Sequence, residues 1–322
     1  MVPLKIQLPA DFLNEETRCD YTISSKMKEV WAVQLDMLEE LDRVCKKHNI
    51  AYFASYGTML GAVRHKGFIP WDDDIDLMML RSEYDKLCAV AQDEFKEPYF
   101  FQTEWTDRSS LRGHAQLRNS LTTGILVKDF EKKYRFNQGI FLDIFPLDAV
   151  TDDDEEFDRL SAEAKRLKKK YMRRAFLTDR FYIPKEKGID FIPRCIVHTF
   201  LRGPFKSLGD YQKIYREYEA LCTKHNNDNT EKLGLLGFCY DRDELRFRAD
   251  FEESIELPFE FTTVPVPKNY DHALRQIYGN YMEFVKSGTS HGGIIYDTDR
   301  PYTFYLNQGN YNQVKMEEYY HH

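Results

Sequence analysis

The stretch GTMLGAVRHKGFIPWDDDIDLMML, from Gly57 to Leu80, sets four carboxylates, Asp72, Asp73, Asp74 and Asp76, against an apolar run. Most short acidic clusters are solvated surface turns, but a surface turn does not explain apolar residues interleaved with the acids. Side chains two apart on a strand point the same way. DIDLMML therefore reads as a strand that sends Ile75, Leu77 and Met79 into the core while Asp74 and Asp76 share the other face. Two carboxylates held a few ångströms apart are unstable as free anions, and a hard divalent cation relieves the repulsion. Mg²⁺ is the natural choice and Mn²⁺ the alternative, because Mg²⁺ accepts one or two carboxylates and completes its shell with water and substrate phosphates.

A third carboxylate lies far along the chain. Asp143 sits inside the apolar run GIFLDIF, where an ionised aspartate is costly unless it is paired or metal-bound. It is read as a metal ligand, against the alternative of a buried aspartate accepting backbone hydrogen bonds. Asp72 is assigned a supporting role and Asp73 a place in the turn. Just upstream, SYGTML puts Gly57 and Thr58 at a strand-to-helix turn, where free backbone N–H groups and a residue without a side chain can cradle a phosphate.

The elements that must position these residues follow from periodicity. SSKMKEVWAVQLDMLEELDRVCKKHN is an amphipathic helix stopped by Asn49, and IAYFASYG is a buried strand leading into a short helix over TMLGAVRH. Ser82 reads as the N-cap of a helix over EYDKLCAVAQDEF. Strands are expected at PYFFQT, HAQLRN, TTGILV and GIFLDIF. Residues 1–150 therefore form helices packed on a mixed sheet. From Thr151 the composition changes. TDDDEEFDRLSAEAKRLKKKYMRRAFL is acidic first and basic last, which suits the dipole of one long helix capped by Thr151. A basic patch for anionic lipid or a charged glycan is the functional alternative. IDFIPRCIVHTFLRGPF, broken by Pro193 and Pro204, is either a buried helix or an interfacial segment. A further helix (LGDYQKIYREYEALCTKHNN), a strand (KLGLLGFCY) and a strand-turn-helix unit ending at Gly279 complete the pattern. The chain divides into a core of helices on a mixed sheet (1–150), a mainly helical insertion (151–250) and a C-terminal strand-helix segment (251–322).

With 322 residues, 42% of them hydrophobic, the chain can bury a substantial core. Its net charge of −8 argues against nonspecific nucleic-acid binding. The six cysteines show no CxxC spacing, which points to free thiols in a reducing compartment rather than a zinc knuckle. The N-terminus lacks the basic-then-apolar pattern of a signal peptide, and no apolar run approaches the ~18 residues of a membrane span. A cytoplasmic protein is expected, with peripheral contact to the inner membrane surface as an extension of that expectation.

A strand, a Gly-Thr turn, a helix, an Asp-x-Asp strand and a later carboxylate strand together form the pattern of the nucleotidyltransferase fold. YGTMLGAVRHKGFIPWDDDIDL resembles the signature of the LicD family, which includes the fukutin-type and fukutin-related proteins. QLRNSLTTGI, GIFLDIFPLD and FEFTTVPVPKNYDHALRQIYGNYM resemble later blocks of that family in the same order, whereas residues 151–246 match little of it. The resemblance implies an α+β fold with a nucleotidyltransferase-like mixed sheet and an added helical region. It also implies transfer of a phospho-alcohol from a CDP-linked donor to a hydroxyl of a glycan or glycolipid acceptor, with release of CMP. Phosphocholine is favoured over ribitol phosphate or glycerol phosphate.

In that setting Asp74 and Asp76 bind Mg²⁺, and Asp143 is a third ligand or the base for the acceptor proton. Gly57 and Thr58 hold donor phosphate. Arg64 and Arg118 clamp the diphosphate, with a surface salt bridge as the alternative for each. His291 in TSHGGIIYD completes the site, unless it is structural. Two other readings keep the fold: a nucleotidyltransferase that releases pyrophosphate from a nucleoside triphosphate, and a non-catalytic glycan-binding or assembly protein.

Overall fold

The computed structural model describes residues 1–130, 132–181, 192–203, 205–235, 241–285 and 293–307. A hairpin of β1 (Glu16–Arg18) and β2 (Tyr21–Ile23) leads into α1 (Ser25–His48). Ser24 caps α1 by accepting from the Met27 N–H at 3.2 Å, and Asn49 ends it in the left-handed conformation at φ 52°. Next come β3 (Phe53–Ala54), α2 (Tyr56–His65), β4 (Asp76–Leu80), α3 (Arg81–Glu94), β5 (Tyr99–Gln102), β6 (Ala115–Asn119), β7 (Thr123–Leu126), α4 (Val127–Phe130) and β8 (Ile140–Ala149).

β8 is the spine of a mixed sheet. β4 runs parallel along one edge of it, and β3 pairs antiparallel outside β4. The other edge of β8 is shared by two partners: β6, followed by β5, covers its first half, and a later strand covers its last three residues. Leu77 and Met79 join Trp31, Leu35 and Leu38 of α1 in the main core, while Met78 joins Phe53, Phe145 and Leu147 in a second cluster. The alternation in DIDLMML thus distributes β4 between two apolar layers, as a central strand requires.

The second half of the chain begins with α5 (Asp154–Leu177), α6 (Ile192–Arg202), α7 (Lys206–Gly209) and α8 (Gln212–Cys222). β9 (Lys232–Leu235) and β10 (Arg246–Phe247) follow, then the hairpin β11 (Ser254–Phe259) and β12 (Thr262–Pro267), α9 (Tyr270–Tyr278), β13 (Ile294–Asp297) and α10 (Tyr302–Asn307). α5 and α8 pack through Tyr171, Tyr215 and Tyr218 in a separate core. Among the described residues no helix is long and apolar enough to cross a membrane.

The mixed α+β architecture agrees with the sequence reading, but local details differ. β4 begins at Asp76, so Asp74 precedes the strand instead of sharing its parity. The backbone there is held by side chains: Trp31 Nε1 donates to the Asp72 carbonyl at 3.1 Å, and Gln34 Nε2 and the Tyr296 hydroxyl donate to that of Asp73 at 2.8 and 3.0 Å. α3 starts directly from the strand at Arg81, which leaves Ser82 inside its first turn. The cap of α5 is Asp153, which accepts from the Glu156 N–H at 2.7 Å, and Thr151 supports it by accepting from the Asp153 N–H. In the region from 151 to 250, β9 lies within the expected strand KLGLLGFCY and pairs with β8, and β10 pairs with β9.

Candidate active site

The start of β4 is fastened to the start of α2. The Ser55 N–H donates to the Asp76 carbonyl at 2.9 Å, and the Asp76 N–H donates to Thr58 Oγ1 at 2.8 Å. On the other side of β4, Asp76 lies in register with Asp143 of β8. Parallel pairing therefore brings together two carboxylates 67 positions apart (143 − 76). The loop before β4 adds more negative charge: one oxygen from each of Asp72, Asp73 and Asp74 lies within 4.8 Å of the others.

The electrostatics record this crowding. Burial, then Asp74 and Asp143, push the Asp76 carboxyl well above its ordinary range. Burial, then Asp74 and Asp73, do the same to Asp72, which shares a side-chain hydrogen bond with Asp74. Asp143 behaves differently. Burial raises it, but His114, Arg112 and Gln116 outweigh that effect and hold it below the usual carboxylate value. His114 Nε2 and Gln116 Nε2 both meet Asp143 Oδ1, at 2.9 and 2.5 Å, which leaves Oδ2 as the atom for a ligand. With Nε2 donating, His114 carries its proton on that nitrogen.

Several expected ligand contacts fall elsewhere. Arg118 lies in β6 with no exposed surface, donating to Gln102 Oε1 and the Gly139 carbonyl, both at 2.6 Å, and to Gln116 Oε1. Burial, then Arg112, lower its pKa to about 9, so it remains a cation at neutral pH. This interior arginine orients Gln116 and, through it, Asp143; neither a diphosphate clamp nor a surface salt bridge describes it. Arg64 also turns away from both readings. Its Nη1 donates to the carbonyls of Tyr281 and Glu283 at 2.7 and 3.2 Å, and its guanidinium lies 4.7 Å from the Phe284 ring centre.

The turn at α2 is closer to expectation, with its contacts reassigned. A Cβ at Gly57 would overlap Asp72 Oδ2, so the open side of this glycine accommodates an aspartate carboxylate. The cluster therefore rests against the positive end of a helix. The Thr58 hydroxyl accepts from the Asp76 N–H, whereas Ser55 Oγ at the N-cap position is buried without a hydrogen-bond partner among the described residues. His291 lies outside the described residues.

A family model described as the LicD/FKTN/FKRP nucleotidyltransferase domain matches residues 49–184, a span that includes every carboxylate of the cluster and the His114–Gln116–Arg118 strand. Along most of its length the chain is also similar to the lipopolysaccharide cholinephosphotransferase LicD of Haemophilus influenzae: 27% identity over 266 residues, 80% of this chain and 91% of the relative. Over these residues the chain is similar to the LicD family. Two uncharacterized rickettsial proteins share shorter blocks. The one from Rickettsia prowazekii is 39% identical over 94 residues, 29% of this chain and 32% of its own length. The one from Rickettsia typhi is 41% identical over 63 residues, 20% of this chain and 19% of its own. The LicD model extends past Thr151 to residue 184, further into the helical region than the sequence blocks suggested.

Sequence reasoning overlooks four residues around this site. His114 and Arg112 come from the loop before β6, which Arg180 at the end of α5 grips through the Ser109 and Ser110 carbonyls at 2.7 Å and closer contact. Arg112 Nε is buried and has no hydrogen-bond partner among the described residues. From the C-terminal half, burial and then Asp72 and Asp76 raise the Tyr278 hydroxyl, while Arg246 acts to lower it. Arg246 is itself buried beside Tyr56 and bonded to Glu244. One signal was available in advance: His114 and Gln116 alternate on a strand candidate, two polar groups on the face that their neighbours Ala115 and Leu117 do not use.

Proposed function

We propose that the chain is a Mg²⁺-dependent phosphotransferase that moves phosphocholine from CDP-choline to a hydroxyl of a cell-surface glycan precursor of the lipopolysaccharide kind, releasing CMP. The observation that carries this reading is the register pairing of Asp76 with Asp143 beneath the Asp72–Asp74 loop. An all-oxygen donor set with two carboxyls already pushed towards protonation fits a hard cation, which removes the need for those protons. Asp74, Asp76 and Asp143 would hold the ion, with Mn²⁺ as a substitute, and Asp72 stands close enough to join them. When bound, the metal supplies charge neutralisation for donor phosphate oxygens.

The protein's own groups position the rest. The lowered pKa of Asp143 makes it a poor general base, which favours the ligand role over proton abstraction. Arg112, with an unpartnered Nε next to Asp143, takes over the phosphate-facing role first assigned to Arg64 and Arg118. Ser55 Oγ and the first turn of α2 would meet donor phosphate next to Gly57 and Thr58. The transfer is a displacement at phosphorus: the acceptor hydroxyl forms a P–O bond, the bond to the CMP oxygen breaks, and the acceptor proton passes to solvent or a nearby base.

The test incubates the protein with Mg²⁺, a glycan acceptor and, separately, CDP-choline, CDP-ribitol, CDP-glycerol or CTP. CMP release with CDP-choline supports the reading, and preference for another CDP-alcohol changes only the cargo. Pyrophosphate from CTP would replace it with nucleotidyl transfer. Absence of metal-dependent binding to any of the four would leave a glycan-binding or assembly role.

A further inference from the structure

α6 inverts the usual arrangement of a surface helix. Ile192, Ile196, Val197 and Phe200 fall within one arc at 100° per residue, and they are 52, 52, 41 and 52% exposed. The opposite arc faces the protein: Cys195, His198 and Leu201 are half-buried. His198 Nδ1 lies 2.8 Å from the Leu177 carbonyl, and its ring stacks on Phe181 at 4.1 Å. The helix is thus anchored on the end of α5 by its more polar side, with its apolar side outward. The apolar surface continues beyond α6, because Phe205 stacks with Phe200 at 5.8 Å and Leu208 of α7 is 59% exposed.

Within α6 and α7 the charge has one sign. From Ile192 to Gly209 there is no acidic residue, while Arg194, Arg202 and Lys206 are present. The segment AKRLKKKYMRRAFL of α5, Ala164 to Leu177, also contains no acid. Some of these cations are engaged, Arg166 with Glu163 and Lys165 with Asp241, yet the zone remains strongly basic. An apolar helix face bordered by cations matches a bilayer surface carrying anionic headgroups, where the apolar side chains enter the acyl boundary and Lys and Arg stay with phosphate. Pairing two copies of this face would bring two cationic borders together, which argues against self-association.

We infer that α6 and α7 form an in-plane docking surface for anionic membranes. The inference stands on the surface itself and does not depend on the transfer reaction. The experiment is flotation of the full chain with phosphatidylcholine vesicles containing one quarter phosphatidylglycerol, compared with pure phosphatidylcholine. A double variant, Ile196→Asp with Phe200→Asp, tests the apolar face, and Arg202→Glu with Lys206→Glu tests the charge. Thermal melts check that each variant remains folded. Flotation with anionic vesicles that falls roughly tenfold in either variant and weakens in high salt is expected. Wild-type protein that stays at the bottom of the gradient, or an Ile196→Asp, Phe200→Asp variant that floats as well as wild type, overturns the inference. So does sedimentation showing a dimer that the same variant converts to monomer, because the occupant is then a second copy.

Discussion

The carboxylate cluster and the α6 helix break the same rule in opposite directions. Around β4 and β8, charges occupy positions where a sheet core would place apolar groups; on α6, apolar groups occupy positions where solvent would favour charges. Each is costly by itself, the first through like-charge repulsion in a desolvated place and the second through exposed hydrocarbon. The costs call for different remedies. Repulsion is relieved by a cation at one point, whereas an exposed apolar face is relieved by a surface. The surroundings reflect this: the cluster is braced by Thr58, Gln34, Trp31, Gln116 and Tyr296, and α6 is held along one side only.

The largest effect is expected where the bracing is densest. Asp76→Asn should lower transfer by roughly a hundred- to a thousandfold or more, because the group lost lies beside Asp143 at the centre of the cluster. The same change should raise the melting temperature of the metal-free protein by at least ~2 °C, since it removes a repelled charge. It should also abolish stabilisation by Mg²⁺. A variant that keeps wild-type turnover, or that melts lower without metal, would show the cluster to be ordinary structure.

A smaller loss is expected at His114. His114→Ala removes one of the two donors to Asp143 Oδ1 and with it part of the lowered pKa. Metal affinity should fall roughly ten- to a hundredfold, as for other residues that orient a ligand, and His114→Gln should recover part of it by restoring a donor. Calorimetric titration with Mn²⁺ reads both; identical affinities in wild type and His114→Ala would remove His114 from the site.

The pH dependence of stability separates repulsion from packing. Asp72 and Asp76 have raised pKa values, so the folded, metal-free protein keeps protons that the unfolded chain releases. Their contribution to stability is greatest below the ordinary carboxylate value of about 4 and declines as pH rises towards their folded values. His65 opposes this trend. Burial, then Arg64, lower it to about 4, which favours folding as pH rises through its ordinary range. The melting-temperature gap between Asp76→Asn and wild type in chelator cancels His65 and should widen from pH 4.5 to pH 7.5. A gap that is constant or narrows would assign the effect to packing.

How much of this could be read in advance depended on range. The buried aspartate in GIFLDIF and the alternation after Pro70 are local patterns, and they single out Asp76 and Asp143, which the sheet places in register. Alternation puts Asp74 on the strand because it says nothing about carbonyls claimed by side chains as remote as Gln34 and Tyr296. Gln116 and His114 reach Asp143 only through the antiparallel register of β6 with β8, which sequence does not specify before the topology is known. Arg118 reads as a free cation for a similar reason, since Gln102 and Gly139 reach it only through the pairing of β6 with β5 and β8. For α6, periodicity gives the apolar arc and not the direction it faces, so the sequence does not separate burial from interface.

That direction leads to the smallest predicted effect. Phe200→Ser on α6 should change folding stability by no more than about 0.5 kcal/mol, because the ring is half in water and, among the described residues, stacks against the exposed Phe205. Leu77→Ala on β4 should cost about 2–5 kcal/mol, since Leu77 has no exposed surface and is packed in the main core. Urea titrations of the two variants compare an apolar side chain that holds the fold together with one that does not. A loss at Phe200 approaching that at Leu77 would mean that α6 contributes to folding, and its outward face would need no external partner to account for it.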